Sequence, residues 1–135
     1  MNNIIAAIRS LSGLRSLKPA SAEDIAEAEK QLNLHFSDEF IQYLSEYGAI
    51  YSDAIELKGI AKTKGVNVVS FTNMVRDVRP NIPKNLYVIS ETGYNGIIVC
   101  QDENGLVYEL KPNEDAVCIA SSLEEYIKGR QKKSD

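Results

Sequence analysis

The stretch Pro19–Gly48, PASAEDIAEAEKQLNLHFSDEFIQYLSEYG, decides how this chain folds. It reads as two short helices joined by a tight apolar link. Pro19 discourages helix in the incoming chain. Ser21 is an N-cap whose hydroxyl accepts a first-turn N–H, and Asp24, three residues on, makes a capping box. Ile25, Ala28 and Leu32 recur at helical spacing as one apolar stripe. Ser37 opens the second helix, with Asp38 and Glu39 beside its positive end. Phe40, Ile41, Leu44 and Tyr47 form its inner face. Gly48 is a structural residue in this reading, a left-handed stop. Glu29 interrupts the first stripe, one turn after Ile25. A carboxylate there has to find a donor or stay half-wet. It is either a site acid or a structural residue that accepts backbone N–H groups of the link. The structural reading is preferred, because no second catalytic-type residue is spaced with it.

Outward from that pair, Ile4, Ile5, Ile8 and Leu11 predict an amphipathic N-terminal helix, capped by Asn2 or Asn3 and stopped at Ser12-Gly13. Ala54–Leu57 predicts a short strand and Val66–Phe71 a second one, β-branched and apolar. Thr72 then caps a short helix carrying Met74, Val75 and Val78, which Pro80 and Pro83 end. Leu86–Ser90, Ile97–Asp102, Leu106–Lys111 and Ala116–Ala120 read as four strands. Asn104-Gly105 suits a two-residue type I′ hairpin. That turn sets Glu103 against Leu106, Gln101 against Tyr108 and Val99 against Leu110. One sheet face then collects Ile97, Val99, Leu106, Tyr108 and Leu110 as the core face. Ile98, Cys100, Asp102, Val107, Glu109 and Lys111 fall on a mixed, partly exposed face. Ser122 caps a last helix, with Leu123, Tyr126 and Ile127 inward and Glu125 completing a capping box. Residues 1–129 read as one α+β domain, an antiparallel sheet with helices packed on one face. Residues 130–135 read as a short polar tail.

The length of 135 residues suits a single domain, and a chain of this size buries about 68–70% of its unfolded surface without metal or disulfide. Hydrophobic and charged fractions of 44% and 25% are ordinary for a soluble globular protein. No apolar run is long enough to cross a membrane. The start MNNIIAAIRS lacks the basic segment of a secretory leader, so the expected compartment is the cytoplasm. A net charge of −4 argues against nucleic acid and permits a basic protein partner. The predicted register puts Cys118 opposite Glu109, itself opposite Cys100. The thiols would lie roughly 9–10 Å apart, beyond the about 7 Å that a disulfide spans. Two free thiols are expected.

A search for chemistry finds little. Any nucleophile–histidine pair would have to use His35, the one histidine, which sits between Leu34 and Phe36 in the link. Two separated cysteines and a lone histidine make no metal-ligand spacing, and no metal or cofactor is expected. Thr92-Gly93-Tyr94-Asn95-Gly96 lacks the helix and the Lys-Ser/Thr pair of a phosphate loop and reads as a hairpin turn. Lys62 and Lys64 are too few for an electrostatic footprint. Among the acids, Asp24, Asp38, Glu39, Glu124 and Glu125 sit in first turns of helices. Of the rest, Glu91, Glu114 and Asp115 fall at one end of the sheet. With Tyr94 and Asn95 they would form an acidic rim around one exposed tyrosine, an anchor for a basic partner.

The helix pair resembles the signature of the SUKH superfamily, the SMI/KNR-type proteins. That pattern is roughly E-x-x-L-G-x-x-L-P-x-x-[YF]-x-x-[FL]-L-x-x-x-G. It stands here as Glu29, Leu32, Asn33, Phe36, Ser37, Phe40, Leu44 and Gly48. Asn33 takes the place of the usual glycine and still suits a left-handed position. Ser37 takes the place of the usual proline and still suits a helix start. The resemblance implies a SUKH-like fold and a non-enzymatic, protein-binding role. For the bacterial branch it implies an immunity protein that binds and neutralises a cognate toxin, often a nuclease. The fungal members imply the alternative, an intracellular regulatory scaffold for an endogenous protein.

Overall fold

In the computed structural model, which describes residues 3–134, side chains set the boundaries of the two central helices. The first elements are α1 (Ile4–Arg9) and β1 (Arg15–Ser16), followed by α2 (Ala22–Leu32) and α3 (Asp38–Tyr47). Ser21 Oγ accepts the Asp24 N–H at 3.1 Å, and Asp24 accepts the Ser21 N–H in return. Asn33 ends α2 at φ +54° and ψ +47°, the left-handed conformation that asparagine tolerates. Ser37 Oγ accepts the Phe40 N–H at 3.0 Å and starts α3.

Gly48 stops α3 at φ +73° but with ψ −61°. This is the centre of a γ-turn, closed by the Ala49 N–H on the Tyr47 carbonyl at 2.8 Å. It is not the left-handed helical stop expected from the sequence. A Cβ at Gly48 would stand 2.1 Å from the Lys18 carbonyl oxygen, so glycine is required twice over.

The chain then forms β2 (Ile50–Tyr51) and β3 (Glu56–Leu57), which with β1 make a three-stranded sheet in the order β1-β2-β3. The helix α4 (Val68–Val78) follows, and it overturns the strand expected over Val66–Phe71. Asn67 Oδ1 accepts the N–H groups of Val69 and Ser70, at 2.9 and 3.1 Å, which starts a helix inside the β-branched run. Val68, Phe71, Thr72 and Val75 are buried at helical spacing. Thr72 is therefore no cap. Its hydroxyl lies mid-helix and accepts the Val88 N–H at 3.0 Å.

The last third holds β4 (Tyr87–Glu91), β5 (Ile98–Gln101), β6 (Val107–Leu110), β7 (Val117–Ala120) and α5 (Leu123–Ser134). The four strands are antiparallel in the order β4-β5-β6-β7. The β5–β6 register is one residue away from the predicted one: Gln101 faces Val107, Cys100 faces Tyr108, and Val99 faces Glu109. Asp102 is the cause. Its Oδ1 accepts the N–H groups of Asn104 and Leu106, at 3.0 and 3.1 Å. The Gly105 N–H reaches the Asp102 carbonyl at 3.0 Å, and Gly105 takes φ +93°. A three-residue loop with a glycine bulge replaces the two-residue turn.

A one-residue slip exchanges the sheet faces. Ile98 and Val99 are neighbours in one strand, yet they lie in separate buried clusters on opposite faces. Residues of α1, α2, α3 and α5 pack with Val99 and Val107 on one face. On the other, Phe71 and Val75 of α4 cover Val88, Ile98, Cys100 and Leu110. The face expected to be mixed is thus buried too, and helices lie on both sides of the sheet. The whole is one α+β domain with two antiparallel sheets. Cys100 and Cys118 are free thiols. Tyr108, not Glu109, separates them across the strands.

Candidate functional site

The link between α2 and α3 is held from within. Glu29 Oε2 accepts the Phe36 N–H at 2.8 Å, and the Glu29 carbonyl accepts the Leu34 N–H at 3.2 Å. Phe36 is thereby set edge-on against Phe40 and Tyr87, with ring centroids 5.1 and 4.8 Å apart. His35 points outward, with 77% of its side chain exposed and Nδ1 at 3.7 Å from Glu29 Oε2.

A buried polar network extends from Ser37. The Ser37 N–H donates to Tyr87 Oη at 3.0 Å, and the Ser37 and Tyr87 hydroxyls both reach Gln101 Oε1. Gln101 Nε2 donates to Glu39 Oε1 at 3.1 Å and to the Gly105 carbonyl at 3.0 Å. Glu39 then accepts the N–H groups of Leu123 and Glu124, at 2.7 and 2.8 Å. A carboxylate on α3 therefore caps α5, and Ser122 Oγ supplies the third acceptor, to Glu125. Burial holds Tyr87 well above the usual phenol range, with Ser37 opposing the shift. Asp102 is committed as well, since its Oδ2 accepts the Tyr108 hydroxyl at 3.0 Å. Sequence reading assigned Glu39 only to a helix dipole. Its cross-chain role has no local signal, because both backbone donors lie more than eighty residues away.

Glu91 ends β4, and the other four rim residues sit at the same end of the four-stranded sheet, in the loops after β4 and β6. Arg79 staples those loops together through the Gly96 and Leu110 carbonyls. A Cβ on Gly96 would stand 3.1 Å from Pro112 Cγ, which shows how closely they approach. Tyr94 is 69% exposed. Asn95 beside it, Glu114 and Asp115 are exposed too. Asn95 turns the loop at φ +53°. Asp115 borders a shallow cleft of about 290 Å³ with Tyr108 and Asn85.

Glu91 stands apart from these four. Its Oε1 is paired with the buried Lys58 Nζ at 2.5 Å, although half of the Glu91 side chain is exposed. Lys58 also lies 4.1 Å from the Phe71 ring centroid, a cation–π contact. Glu91 and Glu56 border a second open cleft, of about 400 Å³, with Tyr126 and Arg130. Sequence reading missed both cations, Lys58 and Arg79. Nothing in their neighbours separates them from ordinary surface charges.

Among the described residues, no cluster of three or more His, Cys, Asp or Glu side chains could hold a metal ion. No described helix is long and apolar enough to cross a membrane.

The family described as SUKH_5: SMI1-KNR4 cell-wall matches residues 1–131. Among solved structures, a protein from Pseudomonas syringae pv. tomato has a similar fold, with a TM-score of 0.73 over 93% of each chain at 16% sequence identity. No curated protein matches the chain. With the family match running almost end to end over the capped helix pair and the sheet behind it, this chain belongs to the SUKH family of SMI1-KNR4-type proteins.

Proposed function

We propose that this protein is a non-enzymatic binding domain, an immunity protein that captures and neutralises a cognate toxin in the cytoplasm. Family membership supports protein binding in general. The observation that carries the finer reading is the division of polar side chains. Glu29, Glu39, Gln101, Tyr87 and Asp102 hold backbone or one another in place. Tyr94, Asn95, Glu114 and Asp115 stand exposed at one end of the sheet. An exposed tyrosine at the same end of the sheet as two exposed acids offers an aromatic anchor and a negative flank, which suit a basic protein surface. A nuclease toxin, which carries cationic surface for its substrate, fits that description.

The test is co-expression with the product of the adjacent gene. The two proteins should purify together. Tyr94→Ala should weaken the complex by about 1–2 kcal/mol, as a truncated aromatic anchor does. Glu114→Lys with Asp115→Lys should slow association and reduce its salt dependence. Glu91→Lys is a poor probe, because it would also unpair the buried Lys58. A complex indifferent to all of these changes would remove the rim from consideration. No complex with the neighbour, and capture instead of an endogenous protein, would favour the regulatory scaffold.

A further inference from the structure

The rim leads directly into β7, and β7 is the open edge of its sheet. Strand order ends there. Val117 and Ile119 are 60% and 40% exposed, and Cys118 is exposed between them. An edge strand turns every second N–H and C=O outward with no neighbour to receive them. Protein edges are usually blunted by lysine, proline or other charge. Val117-Cys118-Ile119-Ala120 contains none of these. Its one irregularity is a bulge that leaves Ile119 as the unpaired residue between Cys118 and Ala120. The opposite edge of the sheet is covered: the Lys58 N–H donates to the Ile89 carbonyl, and Ser90 Oγ donates to the Glu56 carbonyl.

Charge selects the occupant. From Val107 to Arg130 the chain carries Glu109, Glu114, Asp115, Glu124 and Glu125 against Lys111, Lys128 and Arg130. Lys128 is paired with Glu124, so the acids without a cation beside them in sequence are the Glu114-Asp115 flank and Glu125. Glu109 lies directly opposite Val117, and Glu114 and Asp115 precede it. A second copy paired antiparallel would set the Glu114-Asp115 flank of one chain beside the Glu125 flank of the other, like charge against like. A basic segment meets opposite charge at both ends.

We infer that β7 is a docking strand, to which a partner protein adds an extended segment with apolar side chains over Val117 and Ile119 and Lys or Arg at its ends. This rests on the protein-binding reading and adds the mode of contact, strand addition. Backbone hydrogen bonds would hold the segment, and the acidic flanks would choose it.

The probe is a synthetic peptide, Lys-Val-Thr-Val-Lys-Val-Lys, capped at both ends. Its controls are the Lys-to-Glu version and the basic peptide N-methylated at alternate residues. The basic peptide should bind and slow amide hydrogen exchange along Val117–Ala120. Either control, or Val117→Lys with Ile119→Lys in the protein, should weaken binding by about tenfold or more. Both positions are exposed, so circular dichroism of the double variant should match the parent, and the N-methylated control leaves the protein untouched. Absence of binding, equal binding of the acidic peptide, or equal binding after N-methylation overturns the inference. So does a dimer that mild oxidation traps through Cys118, which would give the edge to a second copy. If the adjacent gene product binds and the double variant holds it as tightly, β7 is wrong and the immunity reading stands. If that product fails to bind while the peptide docks, the immunity reading falls and the strand remains.

Discussion

Glu39 sits 4% exposed with both carboxylate oxygens engaged. Removing it orphans the N–H groups of Leu123 and Glu124 and frees one donor of Gln101. Glu39→Ala should cost about 3 kcal/mol, the sum of a lost cap and buried donors left unmet. Glu39→Gln keeps one acceptor and should cost about half as much. Urea unfolding of the two variants measures both. Cys100 supplies a second residue-scale test. Burial pushes its thiol up to about 12 from the ordinary 9.0, against a smaller opposing pull from Arg79. The neutral thiol is favoured in the folded state, so its contribution is whole below pH 9 and is lost as pH rises from there towards 12. Tyr43 and Tyr87, both raised by burial above the ordinary 10.0, add to the loss at still higher pH. Stability should therefore fall above pH 9, by up to about 1.4 kcal/mol per pH unit for each such group. Denaturant midpoints between pH 8 and pH 11 would show it. A thiol reagent at pH 8 should label Cys118 at once and Cys100 only on unfolding.

At the scale of elements, two glycines make opposite predictions. Gly48→Ala meets the Lys18 carbonyl at 2.1 Å and needs a positive φ, so it should cost several kcal/mol, on the order of 3. Gly129 lies inside α5 with open space around it, so Gly129→Ala should stabilise by up to about 1 kcal/mol. Thermal midpoints should move in opposite directions. The elements also show what a sequence discloses. The capped pair α2 and α3 was legible because Ser21, Asp24 and Ser37 act within three residues of themselves. The helix α4 was not, because Val66–Phe71 is too short a window to separate β-branched apolar content from helical spacing, and its start rests on the single cap Asn67 inside that run. The hairpin was located at Asn104-Gly105, but its register was not legible. An aspartate side chain two residues upstream competed for the turn, and that competition appears only in three dimensions.

For the molecule as a whole, the α+β class and the antiparallel order of the last four strands were readable, since each strand is bounded by its own turn residues. The surface was less so. Sequence alone grouped Glu91 with the rim, and Lys58, thirty-three residues upstream, claims it. Lys58→Met should therefore lower stability by about 1–3 kcal/mol and leave the Glu91 charge unpaired, a change that stability curves at low and high salt would separate from simple loss of packing. The exposed edge of β7 has no sequence signature beyond its missing charges.

The carboxylate that crowns α5 also sets a timetable. A ribosome that has translated Glu39 has still to add 84 and 85 residues before the two backbone donors exist. Until then the Glu39 carboxylate stays in water, and burying it has to wait for those donors. Closure of this part of the core should come late, once α5 has been made.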